Sequence, residues 1–122
     1  GEYTHTPNWY QFDLAGQMMD AGATLVIGNQ AHWVQAVETF PHGVVAYALG
    51  NFVFDQDWSL PTQQGVLFEA TFRGAHLESW RLRPIHIGQG FQPRWADDTE
   101  AAQILADVDA AGRQPPVSTR HK

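Results

Sequence analysis

The sequence predicts an α/β fold, and three observations support this class. A helical pattern that ends at Gly22 leads directly into a short apolar run at residues 24–27. A second apolar run covers residues 44–49, and two further segments of strand-forming residues follow it. Short continuous apolar runs are typical of strands buried on both faces, as in parallel sheets covered by helices. We therefore expect one layered domain with a helix, buried strands, a β-hairpin and a short C-terminal helix.

Length and composition restrict the possible functions. The 122 residues suffice for one domain, and 43% of them are hydrophobic, so the chain can form a core. The formal charge of −6 argues against a nucleic-acid partner, because phosphate backbones are bound by basic surfaces. The sequence contains no cysteine, which excludes disulfides, thiolate zinc sites and cysteine nucleophiles.

The first helix is predicted at residues 7–21. Thr6 followed by Pro7 is a favourable start, with Thr6 as the N-cap and proline at the first helical position. Apolar side chains then recur at helical spacing, and Gly22 is a natural helix terminator. The buried strand at residues 24–27 follows at once, and its carboxyl end opens into a loop.

The central part of the chain is predicted to be mainly β-structure. A short strand is predicted at 37–40, followed by a turn at 41–43. A buried strand is predicted at 44–49, which Gly50 and Asn51 close and residues 52–55 continue. A β-hairpin is predicted at 65–72 and 76–83, and its second strand extends through 84–87. The hairpin prediction depends on the turn-forming residues 73–75 between two segments rich in strand-forming residues.

The C-terminal part is predicted to be a helix and a tail. Residues 99–111 have acidic residues in the first turn and end at Gly112, which indicates a short helix. Residues 113–122 are rich in proline and polar residues and are predicted to be disordered. Two buried strands are too few for a free-standing parallel sheet. We interpret residues 1–112 as the carboxyl-terminal portion of a larger domain, which associates with another copy or with its missing amino-terminal half.

The loop after the first buried strand is the first candidate site. Asn29, Gln30 and His32 lie there, and in layered α/β folds such loops carry ligands. Imidazole nitrogen and amide oxygen are donors that divalent metals accept. The alternative interpretation is a loop histidine bonded to backbone. Trp33 beside His32 is a candidate for the lining of a substrate groove.

Two other positions are candidates for the same site. Glu2 offers a carboxylate that is suited to bind a metal or act as a base, although a terminal glutamate is commonly just solvated charge. Asn51 interrupts an apolar run, so its amide must find partners in the core. It either pins the backbone or orients a neighbouring ligand.

Two sequence segments together carry a resemblance to a known family. They are Asp-Ala-Gly-Ala-Thr-Leu-Val-Ile-Gly at residues 20–28, leading to Gln35, and Tyr-Ala-Leu-Gly-Asn-Phe-Val-Phe-Asp at residues 47–55. With the Glu2–Tyr3 pair, they resemble the carboxyl-terminal half of the bacterial capsule-synthesis CapA family, the poly-γ-glutamate biosynthesis proteins. That family is similar in fold to calcineurin-like metallophosphoesterases. The resemblance therefore implies part of a metallophosphoesterase-like α/β sandwich.

The resemblance also implies a site. The family loop is usually Gly-x-His-Pro-His, so His32 matches its second histidine and Gln30 stands where the first is expected. His32 and Glu2 are implied as metal ligands and catalytic residues, and Asn29, Gln30, Asn51 and Trp33 as substrate-binding residues. The implied cofactor is a divalent metal ion, Mn, Fe or Zn, which would polarise the scissile bond and hold a hydroxide.

The implied function is capsule or poly-γ-glutamate biosynthesis at the cell envelope, extracytoplasmic and membrane-associated in the full-length protein. The implied substrate is an anionic γ-glutamyl polymer or a small phosphoester. Two alternatives stay open. One is a non-catalytic polymer-binding or scaffold relative that has lost metal ligands, which Gln30 favours. The other is a generic α/β domain in which these motifs are coincidental.

Overall fold

The computed structural model describes residues 2–113, and these form an α/β structure with two three-stranded sheets. The elements are helices α1 (Trp9–Asp20) and α2 (Asp98–Gly112) and strands β1 (Leu25–Ile27), β2 (Val37–Phe40), β3 (Gly43–Ala46), β4 (Gln64–Arg73), β5 (His76–Ile87) and β6 (Pro93–Trp95). Short 3₁₀ turns lie at Pro61–Gln63 and Gln89–Phe91. The predicted α/β class is confirmed.

Helix α1 begins two residues later than predicted. The N-cap is Asn8, whose side chain accepts from the Gln11 backbone N–H while the Gln11 side chain accepts from the Asn8 backbone N–H. This reciprocal capping box satisfies two N–H groups that a helix start leaves unpaired. Thr6 as N-cap was therefore wrong, because an asparagine with glutamine three residues later offers the better cap. The helix ends at Asp20, with Ala21 as C-cap.

The first sheet is mixed, with strand order β1-β3-β2. β1 pairs parallel to β3, and β2 pairs antiparallel to β3. The central strand β3 is almost fully buried, as predicted for the apolar run at residues 44–49. β1 lies at the edge of the described sheet, and its Ile27 side chain is 44% exposed. Burial of β1 on both faces was therefore wrong, because Ile27 borders two open cavities instead of a covering layer.

The second sheet is antiparallel, with strand order β4-β5-β6. β4 and β5 form the predicted hairpin, and β5 continues through Ile87 as predicted. Near the turn of the hairpin, the pairing of β4 with β5 shifts register between Thr71 and Phe72. The two sheets meet where the chain after β3 forms single bridges, from Leu49 to Val34 and from Gly50 to Gly65.

Helix α2 contributes side chains to two buried clusters, which connect it to both sheets. Its Ala111 belongs to a buried cluster with α1 and the first sheet, and its Ile104 and Val108 belong to a second buried cluster with Val34 and Val66. The predicted helix at 99–111 is confirmed, with Asp97 as N-cap. Arg113, assigned to the tail, is the C-cap of α2. The rest of the predicted tail, residues 114–122, lies outside the described residues.

The segment 52–55 was predicted to continue the second buried strand, and this was wrong. Gly50 has φ +75°, a left-handed conformation that turns the chain out of the sheet. Phe52, Val53 and Phe54 follow as irregular, exposed residues. Because they leave the sheet, they form one wall of a cavity next to His32. No helix among residues 2–113 is both long and apolar enough to cross a lipid bilayer.

Candidate functional site

Three separate segments meet at one open cavity of about 480 Å³. They are the N-terminal segment with Glu2, the loop after β1 with Asn29, Gln30 and His32, and the segment around Asn51. The structure thus brings together five of the six site residues that the sequence indicated. Trp33 does not line this cavity.

The N-terminal segment is anchored along residues 32–36 by backbone and amide contacts. The His32 backbone N–H donates to the Glu2 carbonyl at 2.7 Å, and the Ala36 N–H donates to the His5 carbonyl at 3.1 Å. The fully buried Gln35 side chain donates to the Thr4 carbonyl and accepts from the Gln11 side chain at 2.8 Å. Glu2 is therefore held beside His32 even though it lies near the chain terminus.

The His32 imidazole is fixed on three sides. Its Nδ1 lies 2.9 Å from the Asn51 Oδ1. Its ring stacks on Tyr3, with centroids 5.3 Å apart and planes 22° apart, and packs against Phe54 at 5.1 Å. A ring held by packing and by one directed hydrogen bond is pre-organised, so it presents its other nitrogen in a fixed orientation.

Asn51 is buried, with 6% of its surface exposed, and both ends of its amide are hydrogen-bonded. Its Nδ2 donates to the Thr62 carbonyl at 2.9 Å and to the Gln56 Oε1 at 3.1 Å. Gln56 in turn donates to the Tyr3 hydroxyl at 3.2 Å. The network therefore links all three walls of the cavity through hydrogen bonds.

Two glycines permit the close backbone approaches on which this arrangement depends. A Cβ on Gly28 would overlap the backbone oxygen of Tyr47, and a Cβ on Gly65 would overlap the backbone oxygen of Asn51. Gly28 ends β1 against β3, and its N–H donates to the Ala46 carbonyl at 2.7 Å. Gly65 lets β4 start directly against Asn51. Both positions require a residue without a side chain.

The loop residues Asn29 and Gln30 are exposed and form the outer rim of the cavity. Gln30 has φ +85°, and its backbone N–H donates to the Asn29 Oδ1 at 2.7 Å. Exposed Trp58 contacts Tyr3 edge-on at 4.9 Å and extends the aromatic surface beside the site. The rim therefore offers amide groups on one side and aromatic rings on the other.

Trp33 packs away from the cavity. Its ring lies 4.9 Å from that of His5, and its indole N–H is buried with no hydrogen-bond partner among the described residues. The structure therefore places Trp33 in the packing behind the site rather than on a groove at this cavity. The neighbouring His32 lines the cavity, and the chain bends at both His32 and Trp33, so the two side chains have different surroundings.

The charge around the cavity is one-sided. All lysines and arginines of the sequence lie at position 73 or later, so residues 1–72 contain none. The acidic residues near the cavity are Glu2, which lines it, and Asp55, which follows Phe54 in its wall. The described residues that line the cavity therefore include a carboxylate and amides but no lysine or arginine.

The described residues fit a metal site only in part. Among residues 2–113, no group of three or more His, Asp or Glu side chains lies close enough to hold a metal ion. Catalytic metal sites take about three protein ligands or more. Glu2 and His32 supply two donors of suitable chemistry, whereas the Asn51 oxygen is already bonded to His32. The remaining ligands would have to come from outside residues 2–113.

Sequence analysis did not identify Gln56, Thr62 or Phe54 as parts of the site. Gln56 and Thr62 lie in a polar loop without a recognisable pattern, and they reach Asn51 only through the fold. Phe54 was assigned to a strand. The sequence does contain a signal that Phe54 lies outside the strand, namely the Gly50–Asn51 pair that precedes it and interrupts the apolar run.

Comparison with known proteins identifies the family of the chain. Residues 1–56 match the model of the family described as bacterial capsule synthesis protein PGA_cap. The "Capsule biosynthesis protein CapA" of Bacillus anthracis is 35% identical over 89 residues, which are 73% of this chain and 21% of that protein. The "PGA biosynthesis protein CapA" of Bacillus subtilis is 45% identical over 86 residues, 70% of this chain and 22% of that protein.

The family-model match covers all the residues that line the cavity, from Glu2 to Phe54. The chain spans about one-fifth of the length of the two CapA proteins. The matched segments are the same ones that carry the resemblance at residues 20–35 and 47–55. The chain therefore belongs to the bacterial capsule synthesis protein family of CapA.

Proposed function

We propose that this chain contributes part of a metal-dependent hydrolase-type site to a protein of capsule or poly-γ-glutamate biosynthesis. The observation that supports it is the convergence of Glu2, His32 and Asn51 from three segments on one open cavity. In the proposal, His32 is the central functional group, and Asn29, Gln30 and Asn51 shape the cavity for substrate. The names of the two CapA relatives support the biological setting.

The proposed substrate is an anionic γ-glutamyl polymer or a small phosphoester, met at the cell envelope outside the cytoplasm. No lysine or arginine is among the described residues that line the cavity, so in this proposal the charge of such a substrate is offset by the positive charge of a bound cation. A divalent ion, Mn, Fe or Zn, supplies that charge and the hydrolytic chemistry when it is bound. Its further ligands are proposed to come from another copy or from sequence beyond this chain, which the exposed Ile27 at the sheet edge also favours.

The test is hydrolysis by the full-length protein with added Mn, Fe or Zn, using p-nitrophenyl phosphate and γ-glutamyl polymer as substrates. We expect His32→Ala to lower the rate by about 100-fold or more, the effect of removing a principal catalytic group. The matched control is His76→Ala, because His76 is exposed at the far end of the hairpin. Equal rates for wild type and His32→Ala would overturn the hydrolase proposal.

The second candidate is a non-catalytic polymer-binding relative. The specific observation in its favour is Gln30 at the rim, where the family pattern has a histidine, together with the incomplete donor set. In this case the amide and aromatic rim binds polymer without turnover. Retention of γ-glutamyl polymer by the wild type, with no hydrolysis and no response to divalent ions, would favour this function.

A further inference from the structure

The contact between Asn51 and His32 determines which nitrogen of the imidazole carries the proton. The Asn51 side chain lies between two partners, with one end 2.9 Å from His32 Nδ1 and the other end 2.9 Å from the Thr62 backbone oxygen. The ends of an amide differ chemically, because oxygen only accepts hydrogen bonds and NH₂ only donates them. The orientation of the Asn51 amide therefore determines which nitrogen of the His32 imidazole carries the proton.

The Thr62 carbonyl fixes that orientation. A carbonyl oxygen only accepts, so the end of Asn51 that faces Thr62 must be the NH₂ group. The end that faces His32 must then be the oxygen, which cannot donate. The hydrogen bond at 2.9 Å therefore requires a proton on His32 Nδ1.

We propose that Asn51 is a positioning residue that holds neutral His32 in the tautomer protonated on Nδ1, so that Nε2 is the bare nitrogen of the site. Among the described residues, Nε2 has no hydrogen-bond partner. The hydrogen bond made by one ring nitrogen sets the state of the other. The use of Nε2, as a base or as a donor to a cation, rests on the proposed function, whereas the tautomer is a property of the chain itself.

The surroundings of the ring make the tautomer persistent. Tyr3 stacks on the imidazole and Phe54 packs against it, so the ring cannot easily turn to exchange its nitrogens. Asn51 is 6% exposed, so water does not compete freely for its oxygen. Loss of the hydrogen bond would also cost free energy, because the buried Asn51 oxygen would be left without a donor.

The experiment measures the tautomer directly, by long-range ¹H–¹⁵N correlation NMR of histidine-labelled protein at a pH where the imidazole is neutral. A bare ring nitrogen resonates far downfield of a protonated one, so the two tautomers are distinguished in one spectrum. The chain has six histidines, and the His32→Gln spectrum assigns the resonances of His32 by their loss. The wild type is expected to show Nδ1 protonated and Nε2 bare, and the opposite pattern would overturn the proposal.

Three variants separate positioning from structural support. Asn51→Leu removes the acceptor and should shift His32 towards the Nε2-protonated form. Asn51→Asp keeps an acceptor but loses the donor to Thr62, so it should lower thermal stability and still keep Nδ1 protonated. Gln56→Leu is the matched control, because it removes one bond of the Asn51 NH₂ and leaves the oxygen in place. It should keep the wild-type tautomer.

The outcomes distinguish this proposal from the function proposed above. An unchanged wild-type pattern in folded Asn51→Leu would overturn the positioning role, whatever the hydrolysis assay shows. If Asn51→Leu does not fold, the wild-type and Asn51→Asp spectra still test the proposal, because both are expected to show Nδ1 protonated. If the tautomer is as expected but His32→Ala hydrolyses substrate normally, the positioning role stands and the hydrolase proposal fails.

Discussion

The site half, residues 2–56, and the hairpin half, residues 64–113, hold their segments together with different chemistry. In the site half, polar contacts between segments join amides, imidazoles and backbone groups, as in the link from Gln11 through Gln35 to Thr4. In the hairpin half, ion pairs join Glu69 to Arg81 and Arg83 and join Arg73 to Glu78. A less exposed cluster is also present there, in which Glu100 accepts from Gln64 and lies 2.7 Å from His86 Nδ1. In the site half the central side chains Gln35 and Asn51 are buried, whereas the Arg73 and Arg81 side chains are 84% and 66% exposed.

This difference matters for both stability and function. A buried neutral hydrogen bond leaves an unsatisfied group when one partner is removed, whereas an exposed ion pair is replaced by water and salt. The site half therefore depends on exact local geometry, and the cavity that it forms is free of basic side chains from residues 1–72. We expect single substitutions in the site half to cost more than those in the hairpin half.

The largest effect is expected for Gly28→Ala in the site half. The new Cβ would overlap the Tyr47 backbone oxygen, so β1 and β3 would have to separate. Such overpacking against backbone should lower the free energy of unfolding by roughly 2–4 kcal/mol, measured by urea denaturation. Gly16→Ala is the matched control, because Gly16 lies in α1 with open space around it. It should raise stability by about 0.5–1 kcal/mol, and a loss in both variants would contradict the packing argument.

The second effect concerns the buried amide of Gln35. Gln35→Leu would leave the Gln11 NH₂ and the Thr4 carbonyl without this partner, at a cost of about 1–3 kcal/mol. It should also increase amide hydrogen exchange at His32 and Ala36, whose N–H groups bond to the N-terminal segment. The control Gln17→Leu removes an exposed amide on α1 and should change stability by less than about 0.5 kcal/mol. Unchanged exchange in Gln35→Leu would show that this amide does not anchor Glu2.

The same contrast explains what the sequence could predict. The β4–β5 hairpin and α2 follow local signals, namely a turn between strand-forming segments and an acidic first turn, and both were predicted closely. The start of α1 was missed because two competing caps, Thr6 and Asn8, lie close together. The outward turn at Gly50 was missed because a positive φ at a glycine leaves no trace in the pattern of apolar residues.

The candidate site was predictable as a set of residues but not as a network. Glu2 was indicated by its carboxylate and by the family resemblance, and His32 and Asn51 by residue type and by their place next to apolar runs. All three line one cavity. The bonds from Asn51 to Thr62 and Gln56 come from tertiary packing, for which the sequence has no local signal. Trp33 next to His32 was assigned to the same groove, but the chain bends at these residues and Trp33 packs against His5 instead.

The third effect appears at alkaline pH. Burial of Tyr47, reinforced by its hydrogen bond to Glu38 at 2.7 Å, raises the pKa of the phenol well above its usual range. Above pH 10.0, the ordinary pKa of tyrosine, the phenol ionises in the unfolded chain but not in the folded one, so the free energy of unfolding should fall as pH rises.

Thermal unfolding of Tyr47→Phe between neutral and alkaline pH tests this assignment. The variant should lose about 1 kcal/mol at neutral pH, where the hydrogen bond is missing, and should show a flatter decline above pH 10.0. Tyr10→Phe is the control, because Tyr10 is 58% exposed, and it should keep the wild-type decline. An unchanged decline in Tyr47→Phe would assign the alkaline sensitivity to other groups.

The smallest effect is expected for Glu69→Gln in the hairpin half. Hydrogen bonds from Arg81 and then Arg83 lower the pKa of the Glu69 carboxyl, so its contribution is present above its unfolded pKa and is lost as pH falls through the folded one. Because the pair is exposed, this contribution should be small at physiological salt and larger at low salt. Denaturation of wild type and variant at two salt concentrations and at neutral and acidic pH measures it. If Glu69→Gln destabilised the chain more than Gln35→Leu at physiological salt, the ion pairs would dominate stability and the contrast between the two halves would be wrong.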